Sequence, residues 1–173
     1  MEFFDKKIRD YISSNTDLSY KFKFEQFKVG RSNITYKIFD NSNVFVLRRP
    51  PFGKKLESAH NMQREFKIIT ELSKSNLKVP KPILLCIDRM VCDDDFYIME
   101  YVDGETIADN IIAEKYSTSD KKIITKSFIS TLAELHSFDV KQSSLKDLGK
   151  HENYVERQLN RWSKQFNAQK VRE

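Results

Sequence analysis

The spacing of apolar residues predicts a short helix, five strands and then a run of helices. Apolar positions in residues 1–15 recur at helical spacing, which favours an amphipathic helix lying on the domain over a partner-binding arm. Strands are predicted by period-two or continuously apolar runs at 22–29, 34–39, 44–49, 83–87 and 96–102. Polar turn residues between the first three runs predict an antiparallel meander.

A helix is predicted between the third and fourth strands, with Ser58 as its N-cap. Its apolar positions recur at Met62, Phe66, Ile69 and Leu72. Glu65 lies at the margin of this face, where a carboxylate is costly to bury without a partner. Two interpretations of Glu65 therefore stay open, a carboxylate paired inside the fold and one at the solvated edge.

The pattern changes after Gly104, where strand signals stop and helices are predicted at 106–115, 119–138 and 153–168. The last two helices carry apolar stripes at 124, 128, 132 and 135 and at 155, 159, 162 and 166. We therefore predict an α+β chain with an N-terminal helix at 1–19, a five-stranded antiparallel lobe with one helix at 20–103, and the helical beginning of a second lobe at 104–173.

Composition supports a soluble protein of the cytoplasm. Apolar residues make up 39% and charged residues 32% of the 173, no run reaches the ~18 apolar residues of a membrane span, and the start lacks a signal-peptide pattern. Two cysteines are too few for a disulfide framework. The net charge of +5 is spread along the chain, so nucleic-acid binding is not favoured, and the aromatic residues at 22, 24 and 27 indicate strand core rather than a base-stacking platform.

The candidate chemistry lies at the end of the third strand. Val46 and Arg48 are two residues apart on a strand, so an apolar surface lies beside a cation, which suits a purine and its phosphates. The turn 30–33 could bring backbone N–H groups and the Ser32 hydroxyl to phosphate oxygens. We expect the last strand to offer its backbone edge to the adenine. The acidic run 93–95 is interpreted as a solvated hairpin turn rather than a metal site.

Several segments, in order, resemble the aminoglycoside phosphotransferase-type kinase-like proteins, in particular the subgroup whose kinase-like domain occurs alone or fused to acyl-CoA dehydrogenases. The resemblance covers roughly 27–166, and its order and spacing are more specific than any one motif. The segments are Gly30-Arg31-Ser32-Asn33-Ile34-Thr35-Tyr36, Val46-Leu47-Arg48-Arg49-Pro50-Pro51, Ser58-Ala59-His60, Arg64-Glu65-Phe66, Val79-Pro80-Lys81-Pro82, residues 96–104, Leu132-Ala133-Glu134-Leu135-His136, Tyr154-Val155-Glu156-Arg157-Gln158 and Arg161-Trp162.

The resemblance implies a protein-kinase-like N-lobe that uses ATP and Mg²⁺ to phosphorylate the hydroxyl of a small molecule, with a hydroxyacyl-CoA as a candidate acceptor. Arg48 stands where most such folds place the phosphate-binding lysine, and Glu65 is its helix partner. By the same resemblance, Met99 is expected at the back of the adenine pocket, and Glu100 and Val102 are expected to be the hinge residues whose backbone groups hold adenine. The full set of implied cofactor-binding residues is Gly30, Ser32, Asn33, Val46, Arg48, Glu65, Met99, Glu100 and Val102.

Besides the arginine at position 48, the sequence departs from this family in its catalytic segment. The catalytic loop, roughly His-Gly-Asp followed by Asn five residues on, is not found among the 173 residues, and in family order it and the metal ligands would follow Glu173. We therefore expect weakened nucleotide binding and no phosphoryl transfer. A non-catalytic regulatory module, half of a split enzyme and a basic binding protein with no nucleotide role are alternatives, and exposed C-terminal helices predict self-association or a protein partner.

Overall fold

The fold was taken from a computed structural model that describes residues 3–28, 32–53, 60–107, 109–149 and 152–169. The chain divides into two compact units, Met1–Phe138 and Asp139–Glu173. The first contains α1 (Lys6–Asn15), β1 (Lys23–Gln26), β2 (Ile34–Phe39), β3 (Val44–Arg49), α2 (Met62–Leu72), β4 (Pro82–Cys86), β5 (Phe96–Glu100), α3 (Asn110–Glu114) and α4 (Thr118–His136). The second contains a 3₁₀ turn (Val140–Gln142) and α5 (Tyr154–Gln169).

The five strands form one antiparallel sheet in the order β1-β2-β3-β5-β4. This confirms the predicted α+β class and the meander of the first three strands. The last strand, predicted over 96–102, was expected to offer its backbone edge to the adenine, but β5 pairs with β3 on one side and β4 on the other. The expectation can therefore hold only for the end of the predicted strand, from the Glu100 carbonyl onward. Pro82, predicted to lie in a linker, begins β4, an edge strand where a missing N–H is tolerated.

One face of the sheet packs against α1. Asp5 caps this helix by accepting a hydrogen bond from Ile8 N at 3.0 Å, and Ile8 and Ile12 are buried in the main core cluster. The prediction that the first helix lies on the domain is confirmed. Phe22 is also buried there, with the Arg9 guanidinium 4.7 Å from its ring centroid, so it belongs to the core as predicted. Phe27, for which the same was predicted, is 40% exposed.

Two helix boundaries differ from the predictions for local hydrogen-bonding reasons. Helix α2 begins at Met62 because Asn61 Oδ1 accepts from Arg64 N at 2.8 Å, whereas the predicted cap, Ser58, lies outside the described residues. Helix α3 is shorter than the predicted 106–115, because Asp109 caps it by accepting from Ile112 N at 2.9 Å.

The last residue of β3, Arg49, is a buried cation on the α1 side of the sheet. Its side chain is 3% exposed, and Nη2 donates to Asp94 Oδ2 at 2.8 Å. Its guanidinium carbon lies 4.3 Å from the Phe3 ring centroid and 3.8 Å from that of Phe52. The acidic run is in a turn as predicted, but the interpretation of its acids as merely solvated is wrong, because Asp95 also has a partner, Arg89, at 2.6 Å.

Apolar side chains of the later helices are exposed within their own units. Helix α4 begins with a capping box between Ser117 and Asp120, yet none of its residues is buried, and Phe128 is 65% exposed. In the second unit, the α5 stripe is equally exposed, with Trp162 at 64%. Within the described residues, no helix has the length and apolar character needed to cross a membrane, and the cytoplasmic location stays a prediction.

Candidate functional site

The candidate site is built on the side of the sheet that carries α2, which we call the α2 face. Strand pairing places Val46 opposite Met99 and Arg48 opposite Tyr97, and Thr35 of β2 is also opposite Arg48. Side chains of residues directly opposite each other in antiparallel strands project from the same face. The sequence-predicted floor of Val46 and Met99 is therefore contiguous with the predicted cation, Arg48.

Arg48 and Glu65 form an ion pair between β3 and α2. Arg48 Nε donates to Glu65 Oε2 at 2.9 Å, and the two side chains are 31% and 30% exposed. The interpretation of Glu65 as a paired carboxylate is thus the correct one of the two that the sequence left open. A charge-assisted hydrogen bond that is partly shielded from water fixes the direction of the guanidinium.

Glu65 accepts two further hydrogen bonds on this face. Tyr97 Oη donates to Oε2 at 3.1 Å, and Asn33 Nδ2 donates to Oε1 at 2.9 Å. Burial, followed by the neighbouring Glu65 charge, raises the pKa of Tyr97 above its ordinary value. The phenol therefore stays a neutral donor at physiological pH, and Glu65 joins two strands and the start of β2 to α2.

Arg48 has a second partner in the hydroxyl of Thr35. Nη1 donates to Thr35 Oγ1 at 3.2 Å, so Nε and Nη1 are both held by the protein. Across the described part of the chain, Nη2 makes no hydrogen bond. The guanidinium can offer this third nitrogen to an anion. A lysine has a single nitrogen, and a lysine that made the same two contacts would bind an anion less well.

The turn before β2 was predicted to bind phosphate through its backbone N–H groups and the Ser32 hydroxyl, and for Asn33 that role stays a prediction. The Asn33 side chain lies between Glu65 and His60, whose Nδ1 is 2.6 Å from Asn33 Oδ1. Ser32 is exposed in the bend before β2. Gly30 lies outside the described residues.

The predicted hinge lies at the end of β5. Met99 and Glu100 are half-buried, and the Val102 side chain, two residues past the strand, is 62% exposed. The Glu100 N–H donates to Lys81 O at 2.8 Å, and its carboxylate accepts from Lys81 N at 3.1 Å. An adenine at this position would therefore have to use the Glu100 carbonyl and the backbone of Val102.

Sequence reasoning missed Thr35, Tyr97 and His60 as members of the site. Tyr97 could have been found, because it is two residues before Met99 on the same strand and so shares its face. Thr35 depends on the register between β2 and β3, which polar turns alone do not specify. His60 lies before α2, and no spacing rule connects it to Asn33.

A five-stranded antiparallel sheet with a helix carboxylate bound to a strand cation defines the N-terminal lobe of a kinase-like fold. Comparison with known proteins agrees. The model of the APH phosphotransferase enzyme family matches residues 23–173, and the chain belongs to this family. Its fold is similar to a crystal structure of a candidate aminoglycoside phosphotransferase from Ralstonia eutropha, with a TM-score of 0.72 and 27% identity, covering 96% of this chain and 48% of that one.

Two curated relatives carry acyl-CoA dehydrogenase names. The chain is 36% identical over 143 residues to human acyl-CoA dehydrogenase family member 11, covering 83% of this chain and 18% of the relative. It is 38% identical over 168 residues to Arabidopsis thaliana probable acyl-CoA dehydrogenase IBR3, covering 92% of this chain and 20% of the relative. The chain therefore spans about a fifth of the length of these relatives.

Proposed function

We propose that this chain is the ATP-binding portion of an ATP-dependent phosphotransferase that acts on the hydroxyl of a small molecule. The observation that carries the proposal is the ion pair of Arg48 with Glu65, at 2.9 Å, beside the apolar pair of Val46 and Met99. Family membership gives the reaction class, phosphoryl transfer. The residues of the α2 face indicate the role of this chain in that reaction, which is to bind the phosphates of the donor.

The described residues fit a nucleotide in three places. Val46 and Met99 supply an apolar surface for the purine, and the backbone of Glu100 and Val102 follows at the strand end. The third nitrogen of Arg48 is directed by two protein contacts and can bind a phosphate oxygen. Gly30 and Ser32 keep their predicted role near the phosphates as part of the proposal.

The fit does not extend to a metal. Among the described residues no group of three or more His, Cys, Asp or Glu side chains could hold an ion. We therefore assign no step to Mg²⁺ on these residues. Its ligands, together with the Asp and Asn of the catalytic loop, are proposed to lie on residues beyond these 173, because the loop motif does not occur in them.

The acceptor class is proposed from the relatives. The two relatives described above, both named as acyl-CoA dehydrogenases, are 36% and 38% identical to this chain over most of its length, which supports a hydroxyacyl-CoA or a similar small alcohol as the acceptor. The exposed apolar faces of α4 and α5 support a second candidate, in which a separate polypeptide completes the enzyme. A chain that binds ATP but has no catalytic partner is the third.

Isothermal titration with ATP tests the binding function. Removing the Arg48 charge with Arg48→Met is expected to weaken ATP binding about 10- to 100-fold, the range for a lost charge-assisted phosphate contact. Lys67→Met, which removes an exposed cation from α2, serves as the control and is expected to bind within about twofold of wild type. Equal affinities of the two variants would overturn the proposal.

Sequencing the coding DNA past the codon for Glu173 separates the remaining candidates. A continuation in frame with His-Gly-Asp and an Asn five residues on would supply the missing catalytic loop from the same polypeptide. A stop codon would require a partner chain for catalysis, and mixing the purified chain with that partner should then restore ATP turnover. A stop codon with no such partner leaves the non-catalytic binding module.

A further inference from the structure

The hydrogen bonds around Asn33 form a directed chain from His60 to the phosphate-holding arginine. Asn33 has its amide nitrogen 2.9 Å from Glu65 Oε1 and its amide oxygen 2.6 Å from His60 Nδ1. The first distance is that of an ordinary N–H···O hydrogen bond, and the second is shorter than most. His60 lies just before α2 and Asn33 just before β2, so the contact joins two segments 27 residues apart in sequence.

The charge of Glu65 decides the direction of this chain. A carboxylate only accepts hydrogen bonds, so Asn33 must turn its NH₂ group toward Glu65 and its oxygen toward His60. The reverse orientation would place the amide oxygen 2.9 Å from a carboxylate oxygen, with no proton between them. His60 must in turn donate from Nδ1, so the neutral ring carries its proton on Nδ1.

We propose that Asn33 and His60 are positioning residues that hold Glu65, and through it Arg48, in the orientation that receives a phosphate. Glu65 Oε2 is shared by Arg48 and Tyr97, and Oε1 is bound by Asn33. With Oε1 held, the carboxylate cannot rotate away from the guanidinium. Losing the His60 contact frees the Asn33 amide to turn, which weakens the Oε1 bond and loosens Arg48.

The effect on ATP depends on the proposed function, whereas the tautomer and the hydrogen-bond chain do not. Two measurements therefore separate failure of this inference from failure of nucleotide binding. The first is the tautomer of His60, read from ¹⁵N-¹H correlations of the imidazole nitrogens. The second is ATP affinity and amide exchange in three His60 variants, each checked for folding by circular dichroism.

For the tautomer, we expect wild-type His60 to be protonated on Nδ1. Glu65→Gln removes the constraint on Asn33, because a glutamine can offer its NH₂ to the Asn33 oxygen. Asn33 then turns its own NH₂ toward His60, and we expect His60 to move its proton to Nε2. The His60 signals are assigned by their loss in His60→Asn. A wild-type ring protonated on Nε2, or an unchanged ring in the glutamine variant, would overturn the inference.

The variants at position 60 test the position of the donor. His60→Asn places its NH₂ close to the Nδ1 position, whereas His60→Gln places it near Nε2, so the pair differs only in where the donor lies. In His60→Asn, we expect the ATP affinity and the hydrogen-exchange rate of the Arg48 backbone amide to stay within about twofold of wild type. In His60→Gln and His60→Ala we expect a loss of about 3- to 10-fold in affinity, as for one lost hydrogen bond.

Equal behaviour of His60→Asn and His60→Gln would contradict the positioning role. If wild type does not bind ATP, the proposed function fails, but amide exchange at Arg48 and the tautomer still decide this inference. Faster exchange at Arg48 in His60→Gln, but not in His60→Asn, would then support it, and the same exchange rate in both would overturn it.

Discussion

The carboxylate of Glu65 should contribute measurably to the stability of the sheet, and Glu65→Gln tests this at constant shape. In wild type it accepts hydrogen bonds from Arg48, Tyr97 and Asn33 at 2.9, 3.1 and 2.9 Å. Glutamine has one acceptor oxygen and no charge, so the bonds from Arg48 and Tyr97 lose the negative charge of their acceptor, and Asn33 meets an NH₂ group in place of an oxygen. Each loss of the acceptor's charge weakens a hydrogen bond by about 1 kcal/mol.

The three changes together give a loss of about 2 kcal/mol after allowance for the 30% exposure of the side chain, which lets water replace part of what is lost. Native-state hydrogen exchange at β3 and β5 amides measures this directly for the sheet, without requiring the two units to unfold together. Glu25→Gln, on exposed β1, is the control and should cost less than about 0.5 kcal/mol. If Glu65→Gln and Glu25→Gln lost equal amounts of stability, the reasoning that the Glu65 carboxylate stabilises the sheet would be refuted.

Three further predictions concern stability. Asp40 accepts hydrogen bonds from the backbone N–H groups of Ser19, Ser42 and Asn43, which lower its pKa from 3.8 to about 2. The stability that the Asp40 carboxylate contributes is therefore complete above pH 3.8 and is lost as the pH falls through about 2. Asp40→Ala should lower Tm at pH 7 and make the drop in Tm between pH 5 and pH 2 smaller than in wild type. An unchanged drop would contradict this. Asp94→Asn should cost about 3 kcal/mol in urea unfolding because it leaves the Arg49 cation, 3% exposed, without its counter-charge; a loss below about 1 kcal/mol would mean that solvent already screens this pair. Ile12→Ala should cost about 2–5 kcal/mol, since Ile12 is fully buried under the sheet; a cost near zero would show that α1 does not belong to the folding unit.

The sequence predicted the sheet well because strand signals are local. Alternating or apolar runs and polar turns placed every strand within a few residues, and i, i+2 spacing put Val46 and Arg48 on one face. The order of strands was less accessible, because pairing of β5 with β3 is a contact between residues about 50 apart in the chain. For that reason the sequence did not show that most of the last strand, expected to offer its backbone edge to adenine, is paired on both sides.

The site was predicted in outline but not in detail. Arg48 and Glu65 could be paired from the sequence only through the family resemblance, since no local rule joins a strand to a helix 17 residues away. Asn33 was expected to take part through the backbone of its turn, and the sequence did not show that its side chain links Glu65 to His60. How the carboxyl oxygens are shared depends on distances of a few tenths of an ångström, which a residue pattern does not contain.

The consecutive arginines at the end of β3 also constrain how the strand can be assembled. Arg48 is bound to Glu65 on one face and Arg49 to Asp94 on the other. A slip of one residue turns every side chain of a strand to the opposite face. A shift toward the N-terminus or toward the C-terminus would give one carboxylate the wrong arginine and leave the other facing Leu47 or Pro50.

Only one alignment of β3 therefore gives each acid its own cation while keeping Leu47, which is fully buried, inside the core. We therefore expect the two adjacent charges to disfavour a misaligned hairpin during folding, because such a hairpin would leave a carboxylate unpaired and Leu47 exposed. Replacing either arginine by a neutral residue should thus increase the fraction of molecules that misfold or aggregate during refolding, beyond what the loss of equilibrium stability alone would cause.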